Sequence, residues 1–379
     1  KENGRMGIVV PDGVLTNSSL QYVRDFIMRR AQVLAVVSLP HTAFTQFGAG
    51  VKASLLFLRK KAAGEKLARS YAIFMAIANH IGYDATGRPD ENELLNEGQR
   101  ENGRQTNTSP EPETPRILDL WLAFTESKPA ERLLCESPLV FQVRSDELEG
   151  RLDCQFYHPD YTALEKKIRH SKFEVSPLGD LASRIVDGPF GSQLKVEEYQ
   201  TSGVPLVRVG DVANGEIVPT NLVYITQEKQ AQLNRSQVLP GDVLLTKAGS
   251  LGYSAVFPSI FKQGNITSHL VAIRCKKDLL PGYLALYMRS PLGKTQLYRW
   301  GNKTTRPELN TEEVKKVLVV KPPLDVQRDL VARYEDKKLQ ARKLKDQSRQ
   351  LLESAQQDAV ASLMGDPSSR ADSQTHKCS

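Results

Sequence analysis

Short apolar runs separated by turn residues dominate the first sixty positions of the chain. Residues 7–11 form one such run, which ends at Asp12-Gly13. Residues 33–40 form a second, and residues 51–58 a third, which closes on Arg59-Lys60-Lys61. Runs of this length between turn signals are typical of buried strands, so we predict three of them.

A helix is predicted between the first two strands. Over residues 19–30 the apolar and basic positions follow the helical repeat, which predicts one apolar and one basic face. The apolar face holds Leu20, Val23 and Ile27, and the other holds Arg24, Arg29 and Arg30. Strand, helix, strand, strand is the order of an α/β layer fold, but it is too little for a complete one. We therefore predict the end of a larger sheet, an α/β remnant within residues 1–130.

Two further features follow in this first part. Residues 89–116 are polar and rich in Asn, Glu, Gln and Pro, so they predict a flexible loop that cannot bury enough apolar area. Residues 117–126 predict an amphipathic helix with Leu118, Trp121 and Leu122 facing inward.

The sequence pattern changes near Phe141, and we place the start of a second domain there, residues 141–323. A helix is predicted around residues 161–169, and residues 178–320 contain short β-type runs between Gly and Pro turns. A helix over residues 282–289 interrupts these runs, which gives an α+β domain. The predicted strands are residues 204–209, 243–246, 270–274 and 317–320.

Residues 324–364 predict a single long helix. Its apolar positions follow a three-four spacing with polar Lys337 and Ser348 in the seam, which is typical of a weak coiled coil. Gly365-Asp366-Pro367 is expected to end the helix, and residues 365–379 to be disordered. The apolar positions are Leu330, Tyr334, Ala341, Leu344, Leu351 and Ala355.

Composition narrows the classes of function. The formal net charge is +7, which is compatible with a phosphate-rich partner without proving one. The four cysteines are scattered singly, and no His, Cys or carboxylate cluster suggests a metal, so we expect inert thiols in a reducing, cytoplasmic protein. No apolar run approaches the roughly 18 residues of a spanning helix, so no membrane partner is expected. The first residue is Lys1, and we interpret the chain as cut from something longer or as a degraded reading frame.

Two ordered sets of motifs resemble known families. The first is GRMGIVVPDGVL at residues 4–15, followed by Leu39-Pro40, Phe44 and residues 51–60. Together with residues 71–88, it resembles the last third of an adenine-N6 DNA methyltransferase of the type I restriction kind.

The second set covers residues 145–364 and is the more specific. It resembles a target-recognition domain of a type I restriction specificity subunit with its helical spacer. Five short motifs occur in one order: DGPFGSQLK (187–195), GVPLVRVGD (203–211), PGDVLLTKAGSLG (240–252), RPELN (306–310) and PPLDVQ (322–327).

The chain also departs from these families. The methyltransferase family binds S-adenosylmethionine through a Gly-rich strand-turn and holds the flipped adenine with an Asn-Pro-Pro-Phe or Asn-Pro-Pro-Tyr loop, and neither occurs here. The turn Phe47-Gly48-Ala49-Gly50 precedes a strand instead of following one, so we interpret it as a connecting loop. We therefore expect no catalytic residue and no cofactor in this chain, with S-adenosylmethionine on the complete methyltransferase. Specificity subunits of this class usually carry two recognition domains, and here there is one.

The resemblance implies a DNA-reading surface in the second domain. Residues 187–320 contain 16 Lys and Arg against 11 Asp and Glu, a net of +5, which suits a DNA face but also an ordinary solvated one. Cations and tight Gly turns suit phosphate contacts, and Asn, Arg and Lys can also read base edges. For each loop the alternative is a structural turn. The candidate DNA-binding residues are Gly188, Phe190, Gly191, Ser192, Lys195, Arg208, Lys247, Ser250, His269, Asn302, Lys303 and Arg306.

The sequence leaves three alternative functions. The first is sequence-specific DNA binding as the specificity module of a type I-like restriction–modification system, which directs adenine-N6 methylation and, with a nuclease, cleavage. The second is the C-terminal part of a single-chain restriction–modification methyltransferase. The third is a scaffold that assembles subunits without touching DNA. The expected partners are double-stranded DNA, a methyltransferase subunit or missing N-terminal methyltransferase part, a restriction subunit, and a second copy through the long helix.

Overall fold

The computed structural model describes residues 1–89, 115–126, 133–189, 191–212, 215–301 and 308–364. The predicted loop at 89–116 and the tail at 365–379, including the expected helix end at Gly365-Asp366-Pro367, therefore lie almost wholly outside the described residues. Within the described residues the fold is mixed α/β with a long C-terminal helix.

A six-stranded sheet forms the first part of the chain, in the order β1-β3-β2-β4-β6-β5. β2 and β4 run parallel, and the other neighbouring pairs are antiparallel. The strands are β1 (Arg5–Pro11), β2 (Ala31–Ser38), β3 (Ala53–Lys60), β4 (Ala72–Ile77), β5 (Leu134–Glu136) and β6 (Leu139–Arg144).

In the part of the chain that the structure describes, this sheet is accompanied by α1 (Asp12–Thr16), α2 (Gln21–Arg30) and α3 (Ile117–Glu126). α3 covers part of one face, where Trp121 and Phe124 pack on Phe74 with ring centroids 5.3 and 5.5 Å away. The predicted strands and helices in this region are confirmed as element types, and the Phe47–Gly50 turn indeed connects to β3.

Four details of the first part are corrected. β1 is an edge strand, so it is exposed along most of its length instead of buried, and a helix instead of a turn begins at Asp12. Arg24 points inward and is buried, because it donates hydrogen bonds to three backbone carbonyls. Leu118 and Leu122 are exposed, because the inner face of α3 carries its other apolar residues, among them Leu120 and Phe124.

The predicted domain start also moves. Phe141 lies inside β6, which pairs with β4 of the first sheet, so the sheet continues through Arg144. The change to short apolar runs between turns reflects the short strands of the second part. It does not mark where the first sheet ends.

The second part contains three smaller sheets, ordered β10-β9-β13, β12-β11-β14-β8 and β15-β7. Their strands are β7 (Glu174–Pro177), β8 (Ala182–Asp187), β9 (Val204–Val207), β10 (Val223–Ile225), β11 (Val243–Thr246), β12 (Ser254–Val256), β13 (Asn265–Ile266), β14 (Leu270–Cys275) and β15 (Leu318–Lys321).

Helices flank these sheets, and Pro or a side-chain cap begins several of them. They are α4 (Pro159–Arg169), α5 (Leu178–Leu181), α6 (Val209–Val212), α7 (Gln227–Gln232), α8 (Pro281–Arg289), α9 (Pro291–Trp300), α10 (Thr311–Lys315) and α11 (Leu324–Leu363). No helix among the described residues is long and apolar enough to cross a membrane.

One hydrophobic core joins the two parts. It runs from Val10 in β1 to Val319 in β15 and includes Phe156 in the connection between them. Polar contacts reinforce the junction: Arg24 Nε donates to the Gly150 carbonyl at 2.6 Å, and the Cys154 thiol donates to the Val36 carbonyl at 3.2 Å. The first sheet is therefore packed against the β-rich part and is not a separate domain joined to it by a linker.

Candidate nucleic-acid interface

A cleft of 490 Å³ opens where three strand ends meet in the β-rich part. β8 pairs with β14 and β13 pairs with β9, so the end of β8, the end of β9 and the start of β14 come to one edge. Loops are exposed there and free to carry binding groups. The cleft is lined by Pro189, Gly191, Leu194, Tyr199, Arg208, Val209, Gly210, Thr267, Ser268 and His269.

Gly188 fixes the loop on one side of this cleft. Its backbone N–H donates to the Leu270 carbonyl at 3.1 Å, and a Cβ on it would stand 2.1 Å from the Thr267 carbonyl oxygen. Because no side chain fits, only glycine lets the two loops approach this closely. Gly191 differs, since nothing lies within 4 Å of the place a Cβ would take.

Arg208 supplies the cation of the cleft. Its guanidinium donates to both carboxylate oxygens of Asp211 at 3.2 Å and to the Asn221 carbonyl at 3.0 Å. The hydrogen bonds that Arg208 donates to Asp211 raise the pKa of Arg208 above its ordinary value, although burial acts in the opposite direction. The side chain is still 41% exposed, so its planar head is held in place while one edge stays open to a ligand.

Lys247 occupies a different environment from the one the sequence suggests. It is buried, and its Nζ lies 3.7 Å from Asp187 and 3.9 Å from Glu308. Its backbone N–H donates to the His269 carbonyl, and its own carbonyl accepts from Leu309. Two carboxylates already face this ammonium, so Lys247 supports the loops behind the cleft.

The predicted residues are thus only partly brought together. Gly191, Arg208 and His269 line the cleft, with Gly188 and Lys247 directly behind it. Lys195 and Ser250 are exposed but do not line it. Phe190, Asn302, Lys303, Arg306 and the side chain of Ser192 lie outside the described residues.

Tyr199 and Thr267 line the cleft and were absent from the predicted set. Tyr199 follows a short helical turn and offers an aromatic face, and an aromatic residue between the DGPFGSQLK and GVPLVRVGD motifs was the available signal. Thr267 gave none, because it lines the cleft through the close approach of its backbone to Gly188, and its carbonyl accepts from the Leu270 N–H.

The described residues contain no group of His, Cys, Asp or Glu arranged to hold a metal ion. They also do not fit S-adenosylmethionine at the one Gly-rich turn of the first part. Gly48 and Gly50 have open space where a Cβ would stand, so this turn forms no cradle around a ligand.

The described cysteines are free thiols, and Cys378 lies outside the described residues. Burial raises the pKa of both the Cys154 and the Cys275 thiol to about 12. Neither forms appreciable thiolate near neutral pH, so both are chemically inert there.

Comparison with known proteins supports both resemblances. The N-6 DNA Methylase family model matches residues 1–101. The type I restriction enzyme EcoBI specificity subunit of Escherichia coli is 28% identical over 226 residues, which cover 58% of this chain and 47% of that protein. The EcoKI specificity subunit of E. coli strain K12 is 25% identical over 139 residues, covering 35% of this chain and 30% of that protein. The chain spans less than half the length of these relatives.

A solved HsdS subunit from Thermoanaerobacter tengcongensis is 19% identical and covers 49% of this chain and 46% of that chain, with a TM-score of 0.35. The matches to the methyltransferase family model and to the two specificity subunits confirm, at the level of sequence, the predicted resemblance to a type I specificity subunit behind a methyltransferase-like part.

Proposed function

We propose that this chain reads a specific DNA sequence as the specificity module of a type I-like restriction–modification system. The cleft at residues 188–210 and 267–269 carries the proposal, because it joins an anchored cation, an aromatic ring and a histidine on one open edge. The similarity of the chain to type I specificity subunits supports the same function.

The physical need for such a module comes from the chemistry it would direct. Adenine-N6 methylation requires the base outside the stack, because its target nitrogen is paired inside the duplex. A methyltransferase therefore gains its choice of adenine from a module that grips the duplex beside it. In this proposal Arg208 contacts a base edge or phosphate, while Tyr199 and His269 complete the surface.

The finer domain assignment belongs to the same proposal. Residues 1–144 would be the C-terminal end of an adenine-N6 methyltransferase domain, residues 145–323 the recognition domain, and α11 the spacer. β1 leaves one edge of the first sheet unpaired, with Met6, Ile8 and Val9 exposed beside it. Free strand edges add further strands readily, so a methyltransferase subunit or preceding methyltransferase segment would complete the sheet here.

The test is selection from a pool of random duplexes with the full chain at moderate salt, followed by sequencing. We expect a defined motif that contains an adenine. Arg208→Gln should reduce affinity for that motif about tenfold or more, since a good base or phosphate contact contributes roughly 1–3 kcal/mol. Arg333→Gln on α11 removes one exposed positive charge outside the cleft and serves as the matched control.

Salt separates this function from a scaffold that does not bind DNA. Phosphate binding should weaken steeply as salt rises, with a slope near −0.9 for each phosphate neutralised. A chain that binds no duplex at any salt would overturn the proposal and favour the scaffold.

A second function is favoured by one observation, the single core that unites residues 1–144 with the β-rich part. A methyltransferase end packed in this way suits a single-chain restriction–modification methyltransferase. Sequencing the gene upstream of Lys1 tests this, since an in-frame Gly-rich turn and Asn-Pro-Pro loop would establish it.

A further inference from the structure

The long helix α11 leaves the body of the molecule at a well-defined place. Gln327 is fully buried at its start, and Leu330 and Val331 are half-buried against the core. α8 comes close to it here, because a Cβ on Gly282 would lie 3.4 Å from Val331. Every residue from 343 to 360, in contrast, is exposed.

One acidic residue makes the last contact before the helix departs. Glu216 lies on the β-rich part, and its carboxylate forms an ion pair with Lys338 Nζ at 3.1 Å. The same carboxylate also pairs with the guanidinium of Arg342. Lys338 and Arg342 are four residues apart, so they occupy the same face of α11. We call these three residues the helix clamp.

The neighbouring contacts hold Glu216 itself in place. Arg289 donates to the carbonyls of Gly215 at 2.8 Å and Ser254 at 2.9 Å, and its guanidinium lies 5.3 Å from the ring centre of Tyr334 on α11. Gly215 adopts φ +75°, and a Cβ there would collide with the Arg289 guanidinium at 2.1 Å. The backbone beside Glu216 is therefore fixed by α8 and not by the helix it clamps.

The electrostatics favour a closed clamp. Burial acts to raise the pKa of Glu216, but the hydrogen bonds and charges of Lys338 and Arg342 outweigh it and lower that pKa. Two cations on one carboxylate keep it ionised throughout the neutral range. The contact is also half-exposed, so it can be altered without opening the core.

We propose that Glu216 is a positioning residue that fixes the direction in which α11 leaves the β-rich part. About 21 residues extend beyond Arg342, an arm of roughly 32 Å at 1.5 Å per residue. A tilt of about 10° at the clamp would move the end of that arm by roughly 6 Å. This step rests on the proposed function. If the cleft binds DNA, the helix clamp sets the distance between that DNA and the partner that binds the far end of α11.

Distance measurement between two spin labels tests this on the full chain without DNA. Labels at Lys262→Cys and Ala359→Cys, in a background with Cys135→Ser and Cys378→Ser, report the direction of α11 against the β-rich part. We expect one narrow distance distribution for the parent chain. Glu216→Gln should broaden it and shift it by several ångströms.

Two further variants make the result decisive. Glu353→Gln removes the same charge from the far part of α11 and should leave the distribution narrow. Glu216→Arg combined with Lys338→Glu and Arg342→Glu reverses the clamp and should restore the narrow distribution. An unchanged distribution in Glu216→Gln, or no recovery in the reversed clamp, would overturn the proposal.

DNA selection with the same variants separates the clamp from the proposed function. Glu216 lies outside the cleft, so Glu216→Gln should recover the same base motif as the parent chain. If neither chain selects a motif, the proposed DNA reading fails while the spin-label result still decides the clamp. A changed motif in Glu216→Gln would contradict a purely positioning role.

Discussion

Three buried arginines connect distant stretches of this chain at the residue scale. Arg24, Arg151 and Arg299 donate mainly to backbone carbonyls and to acidic residues at the junction of the two parts. Arg151 forms a two-pronged pair with Asp153, at 2.7 and 3.0 Å, and both side chains are almost fully buried. Removing one partner of such a pair leaves an uncompensated charge in the core.

Asp153→Ala should therefore lower the free energy of unfolding by about 3–5 kcal/mol, as expected for breaking a buried ion pair. Unfolding in urea measures this change in the free energy of unfolding. Asp119→Ala removes a carboxylate from an exposed pair with Arg116 and should lower the free energy of unfolding far less. Equal losses in the two variants would show that Arg151 does not depend on Asp153.

The two glycines beside the cleft provide a second comparison at this scale. Gly188→Ala should destabilise the chain by about 1–3 kcal/mol, because the new Cβ would overlap a backbone carbonyl that cannot move away alone. It should also weaken duplex binding, since the loop must shift. Gly191→Ala meets open space and should melt like the parent chain. Thermal melting and binding titrations on both variants check this, and a stable Gly188→Ala would count against the tight loop.

At the scale of elements, only the first part of α11 packs against the β-rich part, and the rest of the helix extends beyond it. Its 40 residues extend about 60 Å, and its exposed apolar side chains include Leu344, Leu351 and Leu352. Folding back onto the same domain is limited to the first part of the helix. The outer stripe is therefore available to a partner helix, from a second copy or from a methyltransferase subunit.

If α11 pairs with the α11 of a second copy, as its three-four spacing predicts, Leu351→Lys should reduce self-association of the chain while leaving its melting temperature nearly unchanged, because the side chain is exposed in the single chain. Sedimentation at several concentrations measures the effect. Arg349→Lys, two residues away and still cationic, is the control and should associate like the parent chain. If Leu351→Lys sediments like the parent chain, the stripe is not the self-association surface.

At the scale of the whole molecule, the shared core predicts one cooperative unit. Phe156 is fully buried and packs at 4.8 Å on Trp300, with ring planes inclined at 66°. Phe156→Ala should lower the free energy of unfolding by about 3–5 kcal/mol. Because Phe156 belongs to the core of both parts, the first sheet and the β-rich part should lose stability together.

Calorimetry decides between one unit and two. We expect a single transition that shifts as a whole in Phe156→Ala, and an unshifted transition in Phe47→Ala, where the ring is 71% exposed. Two transitions, with only one shifted, would mean that the two parts fold independently.

The sequence by itself determined the elements whose signals are local. Apolar runs between turns predicted β2, β3, β9, β11, β14 and β15. Helical spacing predicted α2 and α11, and helices were also expected at α4 and α8. Five ordered motifs were also enough to identify the resemblance to specificity subunits. These signals depend on neighbours a few residues apart, which the sequence contains directly.

Only the tertiary structure decided which side of each element is covered. Arg24 and Lys247 are cations that the sequence places on a surface, yet long-range carbonyl and carboxylate partners hold them inside. β1 looks like a core strand but has no neighbour on one edge among the described residues, and β6 pairs back across a predicted domain boundary. The cleft likewise depends on three strand ends meeting, which follows from pairing between strands that lie 59 or more residues apart in the sequence. Such pairing is a property of the packed chain and not of any window along it.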